Sequence, residues 1–582
     1  MIATAVAVPL CLSPVSFDSY LLPKRVLFQV LTLLLGSVWM AYSMRFFVPR
    51  RDALWWPIAF FLGWCALSIA ISFHSFRQIR DFAGPVLAVL FWVISRRLWQ
   101  THDQRQRLVS WLYLPVFCIA LYAVLQDFGI DWIRPVGGVE DWRARIASTM
   151  GNPNFVAGYL IILFPVLIAR GCRAGVSRWW FLLMTVPVTL LCVAVFVVTF
   201  CVGAFISLIF ALLLCIFLSP VRKGLSSLVG IRLGVLLLMC AGVVSFYCTH
   251  NPYNGRDGSV LDQASASPRW RTGFAARQFN WRTTRLMIED RPFVGIGFAS
   301  FQAQSMTYQG MNYERQGREH PSPIVKLVDQ PHHQLLETAA ETGIPGVFFL
   351  SWLLVSVVKA SLRTVRRVDR ESRSLLAAVF LGFMIAIFHA LSSFPFHLPA
   401  STLAALVWLS VLLPAKDTRP DRFASRSFRP IYGILLCVVL MIPLSLPFVS
   451  NIYLRRGYEA RRYGVLDILN LQTAVRLDPL EPMNHVFLGE AYYNAGHLKE
   501  AANAYFNGLE LQEDFSSHLA LRDICARLGA VEAMIAQQRD VVRLNPGYIP
   551  YREELERMCR KYGMEAEAEQ IRRSIDALSR SG

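Results

Sequence analysis

Long apolar runs, each closed by a short polar break, set the rhythm of this chain. Most runs hold roughly 17–22 residues, the length that crosses about 30 Å of hydrocarbon. About thirteen can be read, at 2–14, 25–47, 54–73, 82–98, 108–126, 154–170, 179–199, 202–218, 232–248, 344–362, 374–391, 398–414 and 431–449. The first is short. It lacks a basic leading region and "LCLSPVSFDSY" makes a poor cleavage site, so it reads as a span and not as a signal peptide. Two stretches leave the rhythm. Residues 249–343 are polar and aromatic, broken by glycine and proline, and an insert of that size is more often functional than a connector. Residues 451–582 are charged and alanine-rich, with helical periodicity. The expected fold is all-α, with a polytopic membrane domain of about 12–13 transmembrane helices over 1–450 and a helical domain over 451–582.

Composition sharpens the orientation. Lys and Arg outnumber Asp and Glu by 58 to 40, a net charge of +18, and the excess gathers after even-numbered spans. Arg45, Arg50 and Arg51, then Arg170, Arg173 and Arg178, then Arg363, Arg366 and Arg367 are examples. Such a bias marks cytoplasmic loops. The N-terminus is therefore expected in the cytoplasm, with 127–153, 249–343, 394–401 and the tail on the outer side. Topology and contact with anionic membrane lipids account for the charge, and no basic stripe on a soluble domain calls for nucleic acid. Most of the 12 cysteines, such as Cys65, Cys118, Cys192 and Cys240, sit in apolar runs as small hydrophobes. No Cys/His spacing suggests a metal, and no cofactor is called for.

The tail repeats about every 34 residues. In "NHVFLGEAYYNAGHLKEAANAYFNGLEL", Leu488, Gly489, Tyr492, Gly496, Ala501 and Tyr505 fall where a tetratricopeptide (TPR) repeat places its small and large packing residues. "VRLDP" ending at Pro479 and "VRLNP" ending at Pro546 lie two periods apart. Stacked helix pairs offer an extended surface, so the expected use is binding or scaffolding of a protein partner.

Chemistry-bearing residues concentrate in the insert. "ARQFNWRTTRLMIEDRPFVGIGFASF" (276–301) predicts a helix from about Gly273 to Glu289, with Arg277, Trp281 and Arg285 on one face, then a turn at Gly295-Ile296-Gly297. "DQPHHQLLETAAETGIPGVFFL" opens a helix at His332 and His333, carries Glu337 and Glu341, and breaks at Gly343 and Gly346. Arginines can grip phosphate bidentately, and a histidine has the right unperturbed pKa to take a proton from a hydroxyl. Together they suit group transfer from a phosphorylated lipid to an alcohol. Arginines meeting lipid headgroups, and a turn histidine beside a proline, explain the same spacing, so both readings stand at this point. A third motif, "STMGNPNFVAGYL" (148–160), puts a helix-breaking knot before a span, with Asn152 as N-cap and Pro153 in the first turn.

Taken together, these motifs resemble the O-antigen ligase / O-antigen polymerase superfamily of membrane glycosyltransferases. "RIASTMGNPNFVAGYL", the Arg277 helix with its glycine-rich turn, and His332 followed by Gly343-x-x-Gly346 carry the likeness, over roughly 10–415. The resemblance implies metal-independent transfer of a glycan from undecaprenyl diphosphate to an acceptor hydroxyl, lipid, glycan or protein, at the periplasmic face of a bacterial inner membrane. It implies that Arg277 holds the diphosphate and His332 activates the acceptor. Arg145, Asn152, Asn154, Arg282, Arg285, His333 and His397 are the expected substrate contacts. One departure stands out: the family's Ser-Arg-Gly at the outer end of the seventh span reads Cys201-Val202-Gly203 here, so an arginine is missing. Arg143, Arg145, Arg282 and Arg285 are the residues that could replace it. Protein O-oligosaccharyl transfer, a non-catalytic scaffold built on the tail, and a lipid-linked glycan transporter are the competing functions. His389, inside a span, reads as a structural histidine more readily than as a catalytic one.

Overall fold

In the computed structural model the described residues are 1–43, 53–72, 75–132, 146–173, 175–226, 228, 230–250, 259–262, 269–317, 322–415, 430–460 and 467–581. Their order is α1 (Ile2–Leu10), α2 (Leu21–Ser43), α3 (Trp55–Ile71), α4 (Ser75–Ser95), α5 (His102–Asp127), α6 (Pro153–Cys172), α7 (Arg178–Thr199), α8 (Val202–Phe217), α9 (Ser219–Ser226) and α10 (Ile231–Cys248). The insert carries α11 (Arg269–Asp290) and α12 (Phe301–Gln316), followed by α13 (Gln334–Arg367), α14 (Arg370–His389), α15 (Pro399–Leu412) and α16 (Pro430–Glu459). The tail is α17 (Ile468–Leu477), α18 (Pro482–Asn494), α19 (Leu498–Leu511), α20 (Phe515–Arg527), α21 (Val531–Leu544), α22 (Ile549–Lys561) and α23 (Glu565–Ser581). No strand occurs among the described residues.

Among the described residues nine helices are long and apolar enough to cross a membrane, or ten if α8 and α9, bent by 106°, count as one span. The remaining expected spans are present as shorter helices. α3 has 17 residues, α15 has 14 and α1 only 9. At 1.5 Å per residue α1 reaches about 14 Å, half of a hydrocarbon core. It ends at Cys11, two residues after Pro9, so the first expected span does not cross by itself.

The chain forms two compact units. One comprises 1–59, 83–270 and 350–448, and the other 60–82, 271–349 and 449–582. In the first, α14 is the central helix, packed by α6, α8, α9 and α15. Ala377, Ala378, Val379, Phe380, Ile385 and Ala386 on it are fully buried. Small residues allow this packing, as expected where helices associate by close contact in lipid. A Cβ on Gly382 would stand 2.4 Å from the Ile162 carbonyl oxygen, which also accepts a hydrogen bond from Trp408 Nε1 (3.1 Å). By contrast α10 and α16 turn Leu237, Leu238, Leu436 and Ile442 outward, a lipid-facing pattern for a polytopic membrane protein.

In the second unit α13 is broken. Gly343 leaves the helical region (φ 71°, ψ −179°), which frees the carbonyls of the preceding turn. The turn after α11 receives them: Ile296 N–H donates to Ala340 O (2.9 Å) and Gly297 N–H to Glu341 O (3.0 Å). Trp64 Nε1 and Ser68 Oγ on α3 take Thr342 O and Glu341 O (both 2.8 Å). Ile344 N–H returns to Pro292 O (2.8 Å). The tail in the same unit is a TPR-like solenoid of helix pairs. Gly489 and Tyr505 meet where α18 crosses α19, so closely that a Cβ on Gly489 would stand 3.0 Å from the ring. Buried His518 on α20 bridges Glu513 (2.6 Å) and Gln537 (2.7 Å), tying that repeat to α21.

A side chain at Gly343 would lie 2.2 Å from Phe293 O in a left-handed backbone, whereas one at Gly63 meets nothing within 4 Å. Gly343→Ala is therefore expected to cost more than about 2 kcal/mol and Gly63→Ala almost nothing. Thermal unfolding of the two variants in detergent micelles measures the difference.

Candidate active site

Arg277, Arg282 and Arg285 all ride on α11, but they differ in freedom. Arg277 is half-buried, while Arg282 and Arg285 are exposed. Arg285 donates to Glu289 Oε1 one turn on (2.7 Å), and Arg315 takes the other oxygen (3.1 Å). These two arginines hold the Glu289 carboxyl below the usual carboxylate range. An Arg285 already compensated on its own helix has less to offer a phosphate than Arg277. The shared face predicted for Arg277, Trp281 and Arg285 thus ends in an ion pair.

Trp281, on the same face, is the tether. Its Nε1 donates to Pro331 O (3.1 Å) and its ring meets His333 edge-on at 6.2 Å. His332 lies between these two contacts with φ 57°, a left-handed backbone that costs a non-glycine residue about 1–3 kcal/mol and persists only when its surroundings impose it. They do so from both sides. Trp281 fixes the residue before it, and the first turn of α13 fixes the residue after it through Glu337 N–H to His333 O (3.0 Å) and Leu336 N–H to His333 Nδ1 (3.4 Å). His333 is thus half-buried and committed to the helix start.

Burial, and next the positive charge of Arg277, push the His332 imidazole down to about 4. At neutral pH the ring is uncharged, with a nitrogen lone pair able to take a proton. A guanidinium and a neutral imidazole in one rigid neighbourhood can bind an anion and accept a proton from a hydroxyl. The carboxylates are otherwise employed. Glu341, 6% exposed, accepts the Phe301 N–H at the start of α12 (3.1 Å), and Glu337, 1% exposed, accepts from Gln334 Nε2 (3.3 Å). Among the described residues no group of His, Cys, Asp or Glu is placed to hold a metal ion.

The remaining expected contacts belong to the first unit, apart from Arg143 and Arg145, which lie outside the described residues. Asn152 is the N-cap of α6: its Oδ1 accepts the Asn154 N–H (2.9 Å), and Pro153 takes the first helical position. The knot before it is bound internally. Ser148 donates from its backbone to Gln126 Oε1 (2.6 Å) and from its hydroxyl to Ile119 O (2.8 Å), and Thr149 Oγ1 donates to Pro9 O (2.8 Å). Lys24, 1% exposed, donates to the carbonyls of Cys11, Tyr20 and Thr149. The sequence reading missed Lys24, whose signal is a lysine directly after a proline at the start of an apolar run. Val202 is the exposed first residue of α8, and Cys201 before it gives no side-chain cap. His397 is half-buried on a short 3-10 turn against Phe394 (6.3 Å). His389, 3% exposed, packs so closely on α6 that a Cβ at Gly158 would stand 2.7 Å from its Nε2.

Residues 187–351 match the family model described as O-antigen ligase. Over this stretch the chain is similar to the O-antigen ligase family. The matched stretch runs from α7 through the insert to the kinked start of α13, and it includes Val202, Arg277, His332 and Gly343. No curated protein matches the chain. A solved structure titled "Crystal structure of APC/C hetero-tetramer Cut9-Hcn1" aligns over 95% of this chain and 97% of its own at 12% identity, with a TM-score of 0.19, too low to bear on fold or function. The ligase-type domain implies O-antigen ligase- or polymerase-like glycosyl transfer.

Since folding keeps His332 neutral, its contribution to stability is complete above the unfolded value near 6.5 and is lost as pH falls toward 4. Peptide-resolved carbethoxylation at pH 5 is expected to label His332 while an ordinary histidine is mostly protonated and slow. Arg277→Gln should raise the midpoint yet leave it below 6.5, because burial is the larger cause.

Proposed function

We propose that this protein transfers a glycan from a polyprenyl diphosphate, undecaprenyl in the bacterial inner membrane, to an acceptor hydroxyl at the periplasmic face, without a metal ion. The observation that carries the reading is a neutral, half-buried His332 within reach of the Arg277 charge, both inside the ligase-type domain. In the step proposed, the acceptor oxygen attacks the anomeric carbon, and the bond to the diphosphate oxygen breaks with its electron pair. Polyprenyl diphosphate leaves against Arg277, and the acceptor proton passes to His332.

The two residues are coupled. A bound diphosphate neutralises Arg277 and removes one of the two causes that depress His332, so the imidazole becomes a stronger base when the donor is present. Arg282, exposed on the same helix as Arg277, is the further donor contact in this reading. The positive-inside bias supports a cytoplasmic N-terminus with the insert and tail in the periplasm. Val202 is the observation that favours the second reading, a non-catalytic relative, because it removes a cation that the family uses.

Transfer assayed in membranes with a lipid-linked donor decides between them. His332→Ala is expected to lower kcat about 10²- to 10⁴-fold. Arg277→Ala is expected to cost about 10- to 100-fold, only partly recovered by Arg277→Lys, whose ammonium cannot fork onto two oxygens. Because kcat/KM reports the free enzyme and kcat the donor complex, the acid limb of kcat should lie at higher pH than that of kcat/KM. Full transfer by both alanine variants would dispose of the mechanism.

A further inference from the structure

The tail was expected to receive a foreign protein, yet one position of its repeat is already occupied by the protein's own chain. Asp478 in "VRLDP" and Asn545 in "VRLNP" occupy equivalent turns two periods apart, and the turn midway between them places Gln512 in the same register. All three are at most 9% exposed. Each holds a group from outside the repeat. Asp478 takes one Arg80 guanidinium nitrogen on both carboxylate oxygens (2.7 and 2.9 Å). Gln512 Oε1 accepts from Arg77 (3.2 Å), and Asn545 Nδ2 donates to Ser322 O (3.0 Å).

Those groups lie on two segments that lead to the candidate site. Arg77 and Arg80 begin α4, and Arg77 also reaches Gln302 Oε1 (3.4 Å), whose amide donates to Asp329 (3.0 Å), three residues before His332. Ser322 opens the irregular run 322–330 that ends at the His332 turn. Further contacts secure that run along its length. Tyr551 Oη donates to Pro323 O (3.0 Å), and Val325 is buried among Met306, Phe515, Val541 and Leu544. In the amide orientation its neighbours require, Gln309 donates to Lys326 O (3.1 Å) and accepts from Val328 N–H (3.3 Å). The tail thus holds the start of this run through one carboxamide, one phenol and an apolar pocket, the elements of a peptide-binding surface with its ligand in the same chain, while Gln309 on α12 holds the rest.

We propose that the tail is an internal clamp whose occupant is the segment 322–330, gripped together with Arg77 and Arg80 through a once-per-repeat ladder of Asp478, Gln512 and Asn545, and that these are positioning residues for His332. The positioning role rests on the transfer reading above, while the clamp itself does not. Misplacing a reacting group by about 1 Å is enough for a 10²-fold rate loss.

The test uses the full-length protein in nanodiscs. Asn545→Ala and, as a milder second variant, Tyr551→Phe are compared by hydrogen exchange of residues 322–330 and by steady-state transfer. The clamp predicts faster exchange confined to 322–330, and a loss of kcat of roughly 10- to 100-fold for Asn545→Ala with KM for the donor unchanged within about two-fold. Asp478→Arg and Arg80→Asp should each impair kcat, and the pair combined should restore it. Unaltered exchange at 322–330 in both variants would overturn the clamp. Unaltered kcat with faster exchange would overturn the positioning role. If His332→Ala keeps transfer, the catalytic reading falls, yet the exchange result still decides the clamp.

Discussion

A single break in a helix organises the chemistry-bearing half of this molecule. If α13 ran unbroken from His333 into the apolar run, its first turns would satisfy their own hydrogen bonds and owe nothing to the insert. Gly343 prevents this, and the carbonyls it releases need donors. The turn at 295–297 and the side chains of Trp64 and Ser68 supply them, so α3, α11 and α13 are bound at one point through backbone groups. Side-chain packing can drift by a rotamer; a set of backbone hydrogen bonds closing on a glycine at φ 71° cannot. The turn that presents His332 hangs from this joint by ten residues of helix.

Charge is distributed to suit that turn. The arginines on α11 differ in their surroundings. Arg285 and Arg315 share Glu289, and Arg282 points to solvent. Arg277 is the half-buried one whose field reaches His332. Burial makes that field count, since an exposed charge would be screened within about 8–10 Å. The same burial keeps the imidazole neutral, so one environment gives a cation and an unprotonated base. The two carboxylates nearby in sequence serve the fold instead, Glu341 at a helix start and Glu337 against Gln334.

Much of the scaffold was legible from period and composition, because span length and the 34-residue repeat are carried by local patterns. The Arg277 helix and the Gly343 break were legible for the same reason. What periodicity could not supply were contacts far apart in sequence. Trp281 reads as one more aromatic at helical spacing, and nothing local shows that its indole holds Pro331. Arg77 and Arg80 read as two charges at the edge of a span, and their partners lie some 400 residues on. The knot at 148–154 makes contacts of the same distant kind. Ser148 and Thr149 donate their hydroxyls to the Ile119 and Pro9 carbonyls, and Asn152 caps α6.

The tail shows how a repeat can specify an internal ligand. Its helix pairs pack through small-to-large crossings such as Gly489 on Tyr505, which any helical array of this kind requires. The residues that grip the insert and α4 sit instead at the turns between pairs, where a side chain can be changed without disturbing that packing. Their chemistry follows what they hold: a carboxylate and a carboxamide oxygen accept from the guanidinium groups of Arg80 and Arg77, and a carboxamide N–H donates to a backbone carbonyl. They are buried, and burying a polar side chain costs free energy unless it is paired. The run before His332 and the start of α4 provide those pairings, so the solenoid and the candidate site share these contacts.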